Sequence, residues 1–401
     1  MRPITEAHKK PTLVEAMKNL SSDIDKAKLK YAQFIELCRK GPTEFALTPR
    51  AEPTAFGRCF AVFGLHLLKQ HAILGQARVG LSAALRASIR EERERTSIVP
   101  KTKSYRQLLT FTLSALSILD SLDEDPLADL VIEQIPKNMD DFLRNTGALE
   151  GRPQSGNQAM FAAIFILHAR DQLGINTGNL LDRWVSLHLT HMNRFGFWGA
   201  DKGMQHLLFQ NGYHQYEIFE YLGQSCSQLQ DMVQSVRDLA DVEGHFSPYP
   251  GGGGCYDYDA VSVLTQESRI FDSTTQELLL RTAKTLMAEQ TSEGGWCESL
   301  RVRPRGFAQM KRFFSHTINA LPNIHLLKER ARYAIVLQRP YHDRIHTHWS
   351  KYSRKWNEAD LWDSWFRLLA IARIQVAFEP EMAGEWGFIN YPGIGYHPSL
   401  R

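Results

Sequence analysis

A corner that returns about every fifty residues restricts this chain more than any other feature. Gly147-Ala-Leu149, Gly196-Phe-Trp198, Gly244-His-Phe246 and Gly294-Gly-Trp296 follow one another at nearly equal spacing, and Gly384-Glu-Trp386 lies almost two periods further on. Such triplets are common by chance, but four nearly equal intervals mark a repeat architecture. The surroundings repeat as well. Residues 130–142, 180–191, 229–239 and 278–289 are amphipathic with helical period and precede the corners. After each loop comes a more apolar run: 157–168, 212–223 and 254–265. Each unit thus reads as helix, Gly-aromatic corner, loop, helix, with the second helix apolar almost all round and suited to burial between neighbours.

Runs 55–69 and 105–120 extend the series backwards, and 313–322 and 360–375 extend it forwards, making seven inner-helix candidates. No run shows sustained alternation bounded by turn signals, so no sheet is expected. The fold class expected is all-α, an α/α toroid of about six to seven helical hairpins; an open superhelix of stacked hairpins is the alternative. Residues 1–44 read as an N-terminal helical segment packing on the barrel, and 45–401 as the toroid. The Trp and Phe of the corners read as packing anchors between repeats.

The corner Gln290-Thr-Ser-Glu-Gly294-Gly-Trp296 resembles the QW motif of the squalene and terpene cyclase family, in which a Gln and a Gly-x-Trp end an outer helix. Class II terpene cyclases and protein prenyltransferase β-subunits, which carry such repeats, are α/α toroids, so the resemblance implies that architecture from about residue 45 onward. The chemical signatures depart from it. Where class II cyclases have Asp-x-Asp-Asp, this chain has Asp257-Tyr-Asp259 followed by Ala260. Prenyltransferases hold zinc through Asp-x-Cys, whereas Cys255-Tyr-Asp257 has the reverse order. Lanthionine cyclases place a zinc-binding Cys after Trp, as in Trp296-Cys297, but then need a Cys-His pair where this chain has Ser315-His316. No metal and no cofactor are expected.

Bulk properties exclude several classes. Lys plus Arg number 47 against 44 for Asp plus Glu, a net charge of +3 that gives no reason to expect nucleic acid. Five widely spaced cysteines are not a disulfide framework. The opening residues lack the apolar core of a secretory signal, and no stretch is long enough to span a bilayer. A soluble, cytoplasmic protein acting on a small molecule is the expectation; its oligomeric state is not legible.

In a toroid the starts of the inner helices meet around one mouth of a central space, where helix N-termini also favour anions. Read in register, those starts offer Tyr213, His214, Tyr216 and Glu217, then Cys255, Tyr256, Asp257 and Asp259, then His316, then Trp362, Asp363, Trp365 and Arg367. Asp257 and Asp259, two apart on a helix, point in different directions: one can serve as a general acid in the cavity while the other caps the helix or pairs outward. The four glycines 251–254 permit a close backbone approach but lack the Gly-Lys-Ser/Thr ending of a phosphate loop. His214 and Glu217 share a helical face, as a proton-transferring pair or as a buried structural one. Asp363 is either an aromatic-lined acid or the partner of Arg367. Residues 301–305 either contact an anionic substrate through Arg305 or form an exposed loop, and the histidine-rich run 341–348 reads as a solvated loop.

The leading functional expectation is a terpene-cyclase-like enzyme performing cyclisation or isomerisation on a small, largely apolar substrate. Its catalytic candidates are Asp257, Asp259, His214, Glu217 and Asp363. Its substrate-binding candidates are Tyr213, Tyr256, Tyr216, Cys255, His316, Trp362 and Arg305. Aromatic surfaces with separated carboxylates also suit a carbohydrate-active toroid, a hydrolase, lyase or epimerase. A non-catalytic helical-repeat binding protein is the third alternative.

Overall fold

Six helices that are apolar on nearly every side have to be covered on every side, and they achieve this by packing on one another. The computed structural model describes residues 12–95, 98–99, 101–199, 203–226, 228–266, 271–303 and 305–400. The six are α3 (Ala55–Leu67), α5 (Lys103–Ile118), α8 (Ser155–Asp171), α10 (His206–Leu222), α12 (Gly254–Leu264) and α16 (Leu361–Phe378). Each packs on the next in that order, and α16 packs back on α3, so the ring is closed. The protein is an all-α toroid. In α16 every residue from Leu361 to Val376 is buried. Its two arginines are neutralised by acids from neighbouring elements: Arg367 by Glu289 at 2.9 Å and Arg373 by Glu220 at 2.6 Å.

Outside the ring lie α1 (Leu13–Lys18), α2 (Ser21–Cys38), α4 (His71–Glu94), α6 (Ala128–Ile132), α7 (Met139–Thr146), α9 (Leu180–Thr190), α11 (Leu229–Arg237) and α13 (Ser273–Ala288). Two further helices, α14 (Phe307–Ile318) and α15 (Ile324–Val336), pack on each other as a hairpin inserted in the chain between α13 and α16. Strands are limited to two-residue pieces among the described residues. β1 (Trp296–Cys297) pairs antiparallel with β4 (Ala359–Asp360), and β2 (Arg344–Ile345) with β3 (Arg354–Lys355).

Three corners share one turn. Asn193, Asp241 and Thr291 each donate their N–H to the carbonyl just beyond the glycine, at Phe197, His245 and Gly295 (2.7–2.8 Å), while Gly196, Gly244 and Gly294 donate back. All three glycines sit in the left-handed region, which explains the residue type. The aromatic then turns under its outer helix. Trp198 Nε1 donates to His188 O at 2.8 Å, and Trp296 Nε1 to Leu286 O at 2.6 Å, ten residues upstream in both cases. Gln290 donates to Gly294 O and to Ala27 O on α2, tying the last corner to an outer helix.

Four expectations are corrected. Gly147 is the left-handed C-cap of α7 rather than this turn, and Gly384 lies in a 3₁₀ turn, Pro380–Glu385. Residues 130–142 do not form one helix: α6 ends at Ile132 and α7 begins at Met139, with Pro136, which cannot donate a helical hydrogen bond, between them. Residues 313–322 belong to the surface hairpin, so the inner helices number six, not seven. Residues 1–11, part of the expected N-terminal segment, lie outside the described residues.

The C-terminal segment had no place in the repeat reading. Gly387 N–H donates to Leu67 O, Arg373 to Tyr396 O, and Gly395 N–H to the Tyr258 hydroxyl, while Tyr391 meets His168 at 2.9 Å. These contacts lay residues 387–396 across the inner helices and bring Ile394 into the ring.

Candidate active site

The ring holds a cavity of about 250 Å³, just below the range of about 300–1,000 Å³ usual for small-molecule sites. Its walls come from helix starts: Lys103 and Gln107 of α5, Asn157 of α8, Cys255, Tyr256 and Asp259 of α12, and Trp362 of α16. Gln210, Tyr213 and His214 line it from further along α10, because that helix begins earlier, at His206. Ile394 reaches in from the C-terminal segment. Thr347, Trp349 and Arg354 reach in from residues 344–356.

None of residues 341–348, expected as a solvated loop, is buried, but the end of that run and the residues after it reach inward. Both His348 (2.9 Å) and Trp349 Nε1 (3.2 Å) meet Gln107 Oε1, and Trp349 lies on Trp362 with ring centroids 3.9 Å apart. This stretch crosses the mouth as a strap. Its signal in the sequence was the indole and the arginine, not the histidines.

Asp259 is the group that stands out. It is 1% exposed and lines the cavity; no cation pairs with it among the described residues, and the Tyr213 phenol is the polar side chain that acts on its carboxyl. Burial pushes its carboxyl well above the usual carboxylate range; the Tyr213 phenol opposes this, and the charges of Glu217 and Asp257 add to it. Burial thus favours the protonated form of this carboxyl, and no cation pairs with it among the described residues. His214 is held neutral, since burial and then the Lys103 charge push its imidazole well below the ordinary value. Lys103 has no ion-pair partner among the described residues, and burial lowers its ammonium.

Asp257, two residues earlier, faces the other way. Its Oδ1 accepts the Phe246 N–H at 2.8 Å, and Arg367 lies 3.8 Å from Oδ2. Behind it stands a charged cluster in which Glu289 is met by Arg367 (2.9 Å), Arg301 (3.0 Å) and His245 (3.0 Å). Burial alone would lower His245, but Glu289 and Asp241 raise it to about 10, so it is an imidazolium. Asp241, Glu243 and His245 bring ligand atoms within 4.8 Å of one another, the spacing of a possible metal site. His245 already supplies positive charge there and Glu243 is paired with Arg301, so a cation would have to displace both. Two of the four glycines owe their identity to this crowding. A Cβ on Gly252 would fall 2.4 Å from Asp257 Oδ2, and one on Gly254 would fall 2.5 Å from Asp363 Oδ1.

Asp363 does not pair with Arg367. Its Oδ2 accepts from Arg354 at 2.6 Å, and Arg354 also donates to Glu298 at 3.0 Å and lies against Asp360, the N-cap of α16. The Tyr249 hydroxyl closes on the other oxygen of Glu298. One guanidinium among three acids cannot neutralise all of them. Burial, with the charges of Asp360 and Glu298, raises Asp363 well above the usual range against the pull of Arg354.

Besides Asp257 and Asp363, four residues singled out from the sequence stand away from the cavity lining. Glu217 accepts from Tyr258 at 3.1 Å instead of joining His214, and burial raises it to about 8. Tyr216 donates to Gly196 O and packs on Phe197 and Trp198, so it braces a corner. His316 lies in α14, 3.5 Å from Asp241. Arg305 is exposed and pairs with Asp343. Glu217, Tyr216 and His316 were placed by reading the inner-helix starts in one register, which varies between units; for Arg305 the exposed-loop alternative holds.

No protein-family model matches the sequence, and no curated protein matches it. Among solved structures, a type II terpene cyclase from Scytonema, in complex with its substrate geranylgeranyl dihydroxybenzoate, aligns over 91% of this chain and 99% of its own. The sequences are 11% identical and the TM-score is 0.49.

Proposed function

We propose that the chain is a terpene-cyclase-like enzyme that starts a cyclisation or isomerisation by protonating a small, largely apolar molecule in the central cavity, with Asp259 as the acid. The observation that carries this reading is Asp259 itself, a buried carboxyl that faces the cavity with no cation paired to it and whose protonated form burial favours. An alkene or epoxide is a weak base, and an acid whose ionised form is not stabilised in advance is the donor such a substrate needs. In the first step the O–H bond of Asp259 breaks, a C–H or O–H bond forms on the substrate, and positive charge appears on carbon. The faces of Trp349, Trp362, Tyr213 and Tyr256 line the space where that charge develops and attract it. A water molecule takes a proton from the cyclised or isomerised cation, which becomes an alkene, and solvent returns a proton to the Asp259 carboxylate, so no net proton is consumed. Lys103 offers a polar anchor for one end of the substrate.

Carbohydrate chemistry is the second reading, supported by Gln107, Asn157 and Gln210, whose amides suit sugar hydroxyls. It needs a second working carboxylate across the cavity. Glu298 lines the cavity, but both of its oxygens are held, by Arg354 and Tyr249.

A panel of linear isoprenoid alcohols and their terminal epoxides, incubated with wild-type protein and followed by gas chromatography and mass spectrometry, tests the proposal. Conversion of at least one member is expected, falling about a hundred- to ten-thousand-fold in Asp259→Asn. Unchanged turnover in that variant sinks the assignment. Oligosaccharide cleavage that needs Glu298 selects the second reading.

A further inference from the structure

The α14–α15 hairpin carries a surface that the cavity chemistry does not use. On α14, Phe307 is 83% exposed, Met310 65% and Phe314 68%, with Ile318 exposed one turn further on. At spacings of three and four these side chains form one row along the helix. The buried residues Gln309, Phe313 and His316 occupy the opposite face. Leu321, Ile324 and Ile335 add exposed apolar area on the turn and on α15. An isolated exposed apolar residue is ordinary, but a row of this size is not.

The charge of the same hairpin is equally one-sided. Between residues 301 and 339 there are nine Lys or Arg and one acid, Glu329, in a chain whose net charge is only +3. Glu329 is engaged by the N–H groups of His206 and Leu207 at the start of α10. Arg301, Arg303 and Arg305 have carboxylate partners, and Arg330 donates to two backbone carbonyls. That leaves Lys311, Arg312, Lys328, Arg332 and Arg339, all exposed and none in an ion pair among the described residues.

We propose that this face docks the protein on a bilayer surface containing anionic lipid, with the row Phe307, Met310, Phe314 and Ile318 entering the interface and Lys311, Arg312 and their neighbours meeting the headgroups. A short helix with aromatic and aliphatic side chains on one side and cations beside them is the pattern that lies in a membrane interface. No helix among the described residues is long and apolar enough to cross a membrane, so the contact is peripheral. A second copy of the chain fits the face poorly, because a two-fold contact would bring the same five cations together. A nucleic acid would match the cations but leave the apolar row without a role.

The experiment is flotation of the full chain with vesicles of phosphatidylcholine alone and of phosphatidylcholine with phosphatidylglycerol; it needs no turnover and stands apart from the proposed reaction. Binding to the anionic vesicles is expected to be at least about tenfold stronger than to the neutral ones and to weaken with salt. Phe307→Ser with Phe314→Ser should weaken it at least about tenfold at an unchanged melting temperature, and Met310→Ser with Ile318→Ser serves if the first pair lowers that temperature. Lys311→Gln with Arg312→Gln should remove most of the preference for the anionic lipid. Absence of wild-type flotation overturns the proposal, as does flotation indifferent to both apolar pairs. A dimer in light scattering that Phe314→Ser dissociates, without vesicle binding, gives the face to a second copy instead. RNA binding that survives the Phe variants, again without vesicle binding, gives it to nucleic acid.

Discussion

Two aspartates on one helix, Asp257 and Asp259, meet opposite fates. Two residues of α-helix turn a side chain by about 200°, so Asp257 looks toward Arg367, His245 and the Phe246 N–H, while Asp259 looks into the cavity and meets no cation. Burial raises both carboxyls, but His245, Arg367 and the Phe246 N–H pull Asp257 back, while Asp259 has only the Tyr213 phenol to oppose the rise. Burial is the same for both; pairing is what differs, and pairing decides whether a buried carboxyl contributes stability or remains available for chemistry.

Removing the hub of the outer side should have the largest effect. Arg367→Met leaves Glu289 and Asp257 without their shared guanidinium and should cost about 3–5 kcal/mol of unfolding free energy in urea. A loss below about 1 kcal/mol would falsify the claim that Arg367 holds the brace together.

Glu217 tests the inner side, since burial raises it toward about 8 inside the ring. An acid raised in the folded state adds stability that is complete below its unfolded value near 4.5 and is lost as pH rises through about 8. Glu217→Gln keeps an acceptor for the Tyr258 hydroxyl and removes that loss. Relative to wild type, the variant should gain on the order of 2–4 kcal/mol between pH 5 and pH 9. A pH-independent difference between the two proteins contradicts the assignment.

The two aspartates can then be set against each other directly. Asp257→Asn should cost about 1–3 kcal/mol of stability, because it unbalances Arg367 and His245. Asp259→Asn should change stability by less than about 1 kcal/mol while suppressing turnover. Equal destabilisation by both would erase the distinction. The smallest effect is expected at the corners. Trp198→Phe and Trp296→Phe each delete one indole hydrogen bond to an outer-helix carbonyl and should lower stability by about 1 kcal/mol each, measured by thermal melts. A much larger loss at Trp296 alone would give the last corner a special role in ring closure.

Most of the architecture was legible because it depends on local, repeated chemistry. A glycine in the left-handed region is needed at residues 196, 244 and 294, the aromatic after it must find cover, and the apolar runs have no face to give to water. The failures have physical causes as well. Residues 313–322 look apolar enough to be an inner helix, yet Phe314 and Ile318 face outward, so composition alone misplaced them. The C-terminal segment and the strap at 344–356 have no periodicity, and their places come from contacts with distant residues such as Leu67, Tyr258 and Gln107. Of the candidate site, Asp259, His214, Tyr213, Cys255, Tyr256 and Trp362 line the cavity. Lys103, Gln107, Asn157, Trp349 and Arg354 line it too and were missed. Only the inner-helix starts and aromatics had a signal; a lone Lys or Gln at a helix start has none.

By itself the sequence determined that inner and outer helices alternate, that corners join them, and that carboxylates cluster near the inner helix starts, because hydrophobic period and turn chemistry act over a few residues. Tertiary structure alone decided that the ring closes at α16 on α3, that Asp259 rather than Asp257 faces the hollow, and that Asp363 answers to Arg354 and not to Arg367. Those outcomes depend on helix rotation and on partners off the same helix, from Arg354, nine residues before Asp363, to α3 near the other end of the chain. A turn of about 100° per residue sends chemically identical groups to opposite environments.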